Sequence, residues 1–183
     1  MARLRYTAIT SLDGYVNDAD GGFGWAAPSD ELHDVLNQHE TEIGTHLLGR
    51  RLYEVTRFWE TAPGDVPGPM GEYARIWRAA DKVVYSRSLE DVTTARTRLE
   101  PAFDPLAVEE LKASSLRDLG IGGATLAAEA LRAGLVDDVH LFLHPVVVGG
   151  GTPALPDGIR LSLDLVGVEQ VGGVVHLHHR VRR

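Results

Sequence analysis

The segment from Gly120 to Leu131, GIGGATLAAEAL, places a cluster of glycines between an apolar stretch and an alanine-rich one. Glycine has no Cβ, so this cluster suits a tight turn from a strand into a helix. The same geometry leaves backbone N–H groups bare at a helix N-terminus, where a phosphate can bind. Thr125 stands where a dinucleotide fingerprint has its third glycine, so the motif alone also fits an ordinary turn.

Two other predicted strand ends carry donors for the same kind of ligand. Gly49 precedes Arg50 and Arg51 in LLGRRLYE, and YSRSL supplies Ser86 and Arg87. The guanidinium fork matches two phosphate oxygens at once, although paired arginines also occur on ordinary solvated surfaces. A hydroxyl beside a guanidinium suits the ribose 2′-phosphate that distinguishes NADP from NAD. Together the three strand ends favour one anionic, nucleotide-like ligand.

Hydrophobic periodicity and turn residues predict the elements that must position these donors. Predicted strands lie in LRYTAIT, THLLG, VVYS, RDLGI and VDDVHLFLHPVVV, with a weaker one around TARTRL, and VDDVHLFLHPVVV is expected to be the longest. Predicted helices follow Ser29 or Asp30, follow Gly49, occupy EYARIWRAADK, open at Asp104 and Pro105, and occupy ATLAAEALRAG. TAPGDVPGPMG is expected to be a surface loop.

Helices therefore alternate with strands through most of the chain, and two final strands joined by Gly172 and Gly173 form a hairpin. This order predicts one α/β domain over residues 1–183, with a mostly parallel central sheet and an antiparallel C-terminal edge. In an open parallel sheet, ligands bind beyond the carboxyl ends of the strands, which is where the glycines and arginines fall.

Composition excludes several classes of function. The net charge of -8 argues against nucleic-acid or anionic-membrane partners. The chain has no cysteine, which excludes disulfides, thiolate metal sites and cysteine nucleophiles. No apolar run approaches about 18 residues, and no signal-peptide core is apparent, so we expect a cytoplasmic protein.

Histidines near the C-terminus raise the question of a metal. On a strand, His176 and His178 share one face and His179 takes the other. We interpret this alternation as the solvent face of a hairpin and predict no metal site. His144 precedes Pro145 at the end of a core strand, where it is either a packed core histidine or a ligand contact.

TSLDGYV, LLGRRLYEVTRFW, KVVYSRSL and GIGGATLAAEALRAGLVDDVHLFLHPVVVGGG resemble, in order, the dihydrofolate-reductase-like fold. More narrowly, they are similar to the C-terminal reductase domain of the bacterial riboflavin-biosynthesis deaminase–reductase. The resemblance runs over essentially the whole chain. It implies a mostly parallel sheet with NADPH bound along its edge, and a homodimer.

The resemblance also implies roles for particular residues. Asp13 corresponds to the family's substrate-side aspartate, a candidate catalytic residue that would orient the substrate or relay a proton. Asp30, in GWAAPSDEL, resembles the helix-borne acid that holds the pterin ring in dihydrofolate reductases. Trp25 lies in a glycine-rich loop and is either a core aromatic or a stacking platform for a heterocycle. By the same resemblance, the family's cofactor-binding positions correspond to Gly49, Arg50, Arg51, Ser86, Arg87, Gly122, Gly123, Ala124 and Thr125.

The sequence departs from the family at two places. Leu52 stands where members often have a threonine whose hydroxyl donates to a phosphate. RFWETAPGD replaces the Asp-Asp-Pro segment that handles the substrate's sugar phosphate in dedicated riboflavin reductases. We therefore expect an NADPH-dependent reductase of a small heterocycle, similar to 5-amino-6-(5-phosphoribosylamino)uracil reductase. Dihydrofolate reduction through Asp30, and a non-catalytic relative that binds a nucleotide or heterocycle, remain the alternatives.

Overall fold

A computed structural model describes residues 1–182, so Arg183, the expected C-terminal bound of the domain, lies outside the described residues. Its eight strands form one sheet in the order β4-β3-β2-β5-β1-β6-β8-β7. The strands are β1 Leu4–Ser11, β2 Ile43–Gly49, β3 Asp81–Tyr85, β4 Thr97–Glu100, β5 Asp118–Gly122, β6 Asp138–His144, β7 Leu163–Val171 and β8 Val174–Val181.

Within residues 1–182 the α-helices are α1 Asp30–Thr41, α2 Arg50–Thr56, α3 Pro69–Ala79, α4 Pro105–Ser114 and α5 Ala124–Arg132. Short 3-10 turns occupy Gly24–Ala26 and Arg57–Glu60. In this part of the chain, no helix combines the length and the apolar character needed to cross a membrane.

The sheet confirms the predicted mixture of parallel and antiparallel strands. Strands β1 to β6 pair in parallel, whereas β8 runs antiparallel to both β6 and β7. Two details of the prediction were wrong. Strand β6 ends at His144, before Pro145, and its seven residues make it shorter than the nine-residue β7. The segment predicted as a surface loop ends in helix, because Pro69 opens α3.

Side-chain caps explain where two of the helices begin. The Ser29 hydroxyl accepts a hydrogen bond of 3.3 Å from the Leu32 amide at the start of α1. Asp104 does the same for the Leu106 amide at 3.0 Å, and Pro105 occupies the first turn of α4. These caps determine the residues at which the two helices begin.

The two faces of the sheet carry different layers. One main core cluster joins the β1 and β5 side chains Leu4 and Leu119 to residues of α4 and α5. A second cluster packs Leu32 of α1 against Phe142 and Val174, over β6 and β8. His176 belongs to this covered face and is only 6% exposed, so the predicted solvent position of this residue was wrong. His176 is buried because α1 packs across this face of the hairpin, which was expected from the sequence to be exposed to solvent.

Candidate active site

The turns after β2 and β5 lie side by side at the carboxyl edge of the sheet. Leu48 pairs with Gly122 in the parallel ladder, and both strands turn into helices immediately afterwards. Gly49 is the N-cap of α2 and Gly123 is the N-cap of α5. A Cβ built on Gly123 would lie 3.9 Å from the backbone nitrogen of Gly49. The helix N-termini predicted to hold phosphate are therefore immediate neighbours.

Leu52 occupies the space between these turns. A Cβ on Gly122 would overlap Cδ2 of Leu52, and a Cβ on Gly123 would lie 3.8 Å from the Leu52 Cβ. The leucine also packs against the core cluster of Leu48, Tyr53 and Val84. Leu52 thus places an apolar side chain, with no hydroxyl, against the bare backbone of the second turn. Donors for an anion at this point must therefore be backbone amides and arginines.

The start of α5 presents such amides. Gly123 supplies no side-chain cap, and the Ala127 amide is bonded to the Gly123 carbonyl, so the amides of Ala124 and Thr125 precede the helical ladder. On the neighbouring turn, Arg50 and Arg51 are exposed. The Arg50 guanidinium pairs with Glu54 at 3.2 Å, with both side chains more than a third exposed. Exposed pairs of this type are weak, so an anionic ligand can compete for the arginine.

Ser86 and Arg87 follow β3, next to β2 in the sheet. The Ser86 hydroxyl oxygen accepts hydrogen bonds from the amides of Ser88, at 3.1 Å, and Leu89, at 3.0 Å. These bonds fix a turn, and the Ser86 hydroxyl also lies 3.5 Å from the hydroxyl of Ser88. Arg87 is exposed. The structure thus brings all the predicted cofactor residues to one edge of the sheet.

Asp13 joins the loops that follow β1 and β6. Its Oδ2 accepts a hydrogen bond of 2.8 Å from the Gly149 amide, and its Oδ1 accepts one of 3.2 Å from the Val148 amide. The Ser11 hydroxyl and these amides hold the pKa of the Asp13 carboxyl below its usual value. The side chain is exposed and ionised at neutral pH, so its geometry suits a fixed acceptor better than a proton donor.

Trp25 and His144 contribute a feature that the sequence only partly indicated. Their rings meet edge to face, with centroids 6.1 Å apart. Among the described residues, neither Trp25 Nε1 nor His144 Nε2 has a hydrogen-bond partner, although both atoms are buried. Burial lowers the pKa of His144, so its imidazole is neutral. Unsatisfied buried polar atoms are uncommon, and at this edge they are candidate contacts for a polar heterocycle.

Asp30, the first residue of α1, is exposed.

This sheet order, the paired glycine turns and the C-terminal hairpin define a dihydrofolate-reductase-like domain. The chain belongs to the family of the RibD C-terminal domain, which matches residues 2–177.

The chain is also similar to individual proteins. YyaP of Bacillus subtilis (strain 168), an uncharacterized protein, is 28% identical over 180 residues, covering 96% of this chain and 93% of YyaP. A protein of Shewanella sp. PV-4 named for riboflavin biosynthesis has a TM-score of 0.78 at 20% identity, with both chains fully covered. The deaminase/5-amino-6-(5-phosphoribosylamino)uracil reductase of Thermotoga maritima has a TM-score of 0.67 at 16% identity, covering 99% of this chain and 57% of that one.

The positive φ of Gly123 generates a test of the turn. We expect Gly123→Ala to destabilise the protein by about 1–3 kcal/mol, because its φ of 89° strains any side-chain-bearing residue. Gly49→Ala is the matched control, since its φ is -73° and its nearest neighbour to a Cβ lies at 3.7 Å. Urea unfolding measures both. Equal effects of the two substitutions would contradict this account of the turn.

The hydrogen bonds of Asp13 to the loop after β6 are expected to depend on pH. The pKa of the Asp13 carboxyl is lower in the folded protein than its unfolded value of about 3.9. The hydrogen bonds that this carboxylate accepts from Val148 and Gly149 therefore contribute fully to stability above about pH 3.9, and this contribution is lost as the pH falls through the folded pKa. We expect Asp13→Ala to reduce the hydrogen-exchange protection of the Val148 and Gly149 amides at neutral pH. Asp20→Ala, in an exposed loop, is the control. Unchanged protection in the Asp13 variant would show that the carboxylate does not hold the loop.

Proposed function

We propose that this protein is an NADPH-dependent reductase that delivers a hydride to a C=N or C=O group of a small heterocyclic substrate. The observation that carries the proposal is the juxtaposition of the Gly49 and Gly122–Gly123 turns, with exposed arginines beside them. Membership in the RibD C-terminal domain family supports the same chemistry, as does the reductase named in the Thermotoga maritima relative. The substrate class we infer is a pyrimidine similar to 5-amino-6-(5-phosphoribosylamino)uracil.

The residues at this edge fit a dinucleotide phosphate. Gly122 and Gly123 keep the turn free of side chains of their own, and the uncapped amides of Ala124 and Thr125 are suitable donors. Arg50 and Arg51 would add charge to the pyrophosphate contact. Ser86 and Arg87 would hold the 2′-phosphate.

When bound, NADPH would supply the hydride, and the protein would supply positioning and electrostatics. On the substrate side, Asp13 would fix the loop after β6 and orient the substrate as an ionised acceptor. Trp25 would stack on the heterocycle, and His144 Nε2 would exchange a hydrogen bond with it. Because the Asp13 carboxyl is ionised, we assign delivery of the proton to water.

The 2′-phosphate assignment predicts a change in cofactor preference. We expect Arg87→Ala to weaken NADPH binding about ten-fold, or about 1.4 kcal/mol, and to leave NADH binding within about two-fold. Arg132→Ala is the matched control, because Arg132 lies in the last turn of α5, at the opposite end from the N-terminus proposed to bind phosphate. Calorimetric titration with each cofactor measures the ratio. Equal losses for both cofactors, or no loss, would contradict the assignment of Arg87.

Substitutions of the two acids separate the candidate reactions. If Asp13 serves a pyrimidine reductase, Asp13→Asn lowers kcat/KM for NADPH oxidation with a pyrimidine substrate and Asp30→Asn does not. The reverse pattern, with dihydrofolate as the substrate, would establish Asp30 as the pterin acid. NADPH binding without oxidation in the presence of either class of heterocycle would establish the non-catalytic alternative.

We also propose that the protein is a homodimer. Strand β7 is an edge strand, and Leu165 and Val168 on it are each 61% exposed. This apolar surface continues across β8 to β6, where Val175 pairs with Leu143 and Leu177 pairs with Leu141. An apolar sheet face of this kind is typical of a protein interface.

The dimer proposal is tested by sedimentation. We expect the wild-type protein to sediment with the mass of two chains and Val168→Glu to sediment as a monomer. Leu116→Glu is the control, because Leu116 is fully exposed and lies outside this surface. A wild-type monomer, or a Val168 variant that stays dimeric, would contradict the interface.

A further inference from the structure

Three histidines from separate elements converge on the sheet face that α1 covers. His39 lies in the last turn of α1, His140 lies in β6, and His176 lies in β8. One ligand atom from each comes within 4.8 Å of the others. His140 and His176 are buried, with exposures of 4% and 6%. None of these residues lies among those proposed to bind cofactor or substrate.

The three rings contact one another, and His140 and His176 share a hydrogen bond. His140 Nδ1 lies 3.0 Å from His176 Nε2, and the His39 ring centroid lies 5.0 Å from each of the other two centroids. Two imidazole nitrogens bound at about 2.0 Å to a tetrahedral ion lie about 3.3 Å apart. An ion at this point would replace the His140–His176 hydrogen bond, and the three nitrogens, which lie within 4.8 Å of one another, would turn toward it.

The chemistry of the three side chains also suits a metal ion. Burial lowers the pKa of His140 and His39, and lowers the pKa of His176 to about 4. Neutral imidazole is a good ligand for first-row transition ions such as Zn²⁺, Ni²⁺ and Cu²⁺. Glu169 Oε2 lies 3.9 Å from His176 Nδ1, and a closer approach would let this carboxylate accept a hydrogen bond from the ring of a metal-bound His176.

The charges around the cluster are largely balanced. Asp138 pairs with Arg3 and accepts a hydrogen bond of 2.9 Å from His178. Arg5 pairs with Glu42 at 2.5 Å and with Asp118 at 2.5 Å. Each of the two arginines is thus paired with a carboxylate, which offsets its charge, although Arg5 still contributes to the lowered pKa of His39 and of His140.

A pocket of about 210 Å³ adjoins the cluster and gives it access to solvent. His39 and His140 line this pocket, together with His178 and the paired Arg5 and Glu42. Three protein ligands beside a water-accessible pocket leave the fourth position of a tetrahedral ion to water.

We propose that His39, His140 and His176 form a binding site for one divalent transition-metal ion, with Zn²⁺ as the reference ion. The ion would join the C-terminal turn of α1 to β6 and β8. It lies apart from the carboxyl-edge residues proposed for the reductase. Metal binding is therefore measured without NADPH or substrate, and its outcome is independent of the reductase proposal.

The test uses the full-length, untagged protein after dialysis against a chelator. We expect one Co²⁺ per chain to give the visible absorption of a low-coordinate site, and Zn²⁺ to displace it. His39→Ala should weaken Zn²⁺ binding more than ten-fold and abolish the Zn²⁺-dependent rise in Tm. His179→Ala is the matched control, because His179 lies on the opposite face of β8 from His176. It should bind like the wild-type protein.

A second measurement needs no variant. Addition of Zn²⁺ to the wild-type protein should shift the imidazole ¹⁵N resonances of His39, His140 and His176, and leave those of His33 and His46 unchanged. Three results would each overturn the site: no Co²⁺ absorption, wild-type affinity in the His39 variant, or an equal loss in the His179 control. Shifts confined to other histidines would also overturn it.

Discussion

Parallel pairing of β2 with β5 determines how the carboxyl edge of the sheet is built. Leu48 lies opposite Gly122, and each strand turns into a helix next to that pair. Adjacent strands lie about 4.8 Å apart, so the two turns must share the same space. Leu52 fills that space, and Gly122 makes room for it by lacking a side chain. This contact fixes the distance between the α2 and α5 N-termini, and with it the positions of the donors.

A separate connection organises the other half of the edge. Asp13 holds the glycine-rich loop after β6 against the loop after β1, while Trp25 meets His144 beside them. The proposed nucleotide side is rich in exposed arginine, although the chain as a whole has a net charge of -8. Attraction for an anionic cofactor would therefore depend on local charge and on oriented amides, and not on the overall field.

Much of this arrangement could be predicted from sequence because it depends on local signals. Strand and helix alternation gave the parallel sheet, and Gly172–Gly173 marked the hairpin. Donors at strand ends could be placed together because all parallel strands of a sheet end at the same edge. The contact of Leu52 with Gly122 could not be predicted from local signals, since it depends on which two strands are neighbours in the sheet.

The histidine cluster shows the same limit more strongly. His39 is distant in sequence from His140 and His176, and their meeting depends on α1 crossing the hairpin and on the pairing of Phe142 with His176. Alternation along β8 correctly separated His176 from His179, but it could not identify which face is covered. Asp13 was similarly marked as a site residue, whereas its bonds to Val148 and Gly149 depend on the path of a distant loop.

We propose that a dinucleotide phosphate binds where the turns after β2 and β5 meet. A ¹H–¹⁵N correlation spectrum recorded during titration with NADP⁺ tests this residue by residue. We expect the largest shifts at the amides of Gly49, Gly123, Ala124 and Thr125. Saturating NADP⁺ that leaves these amides unchanged, or that shifts only residues remote from this edge, would contradict it.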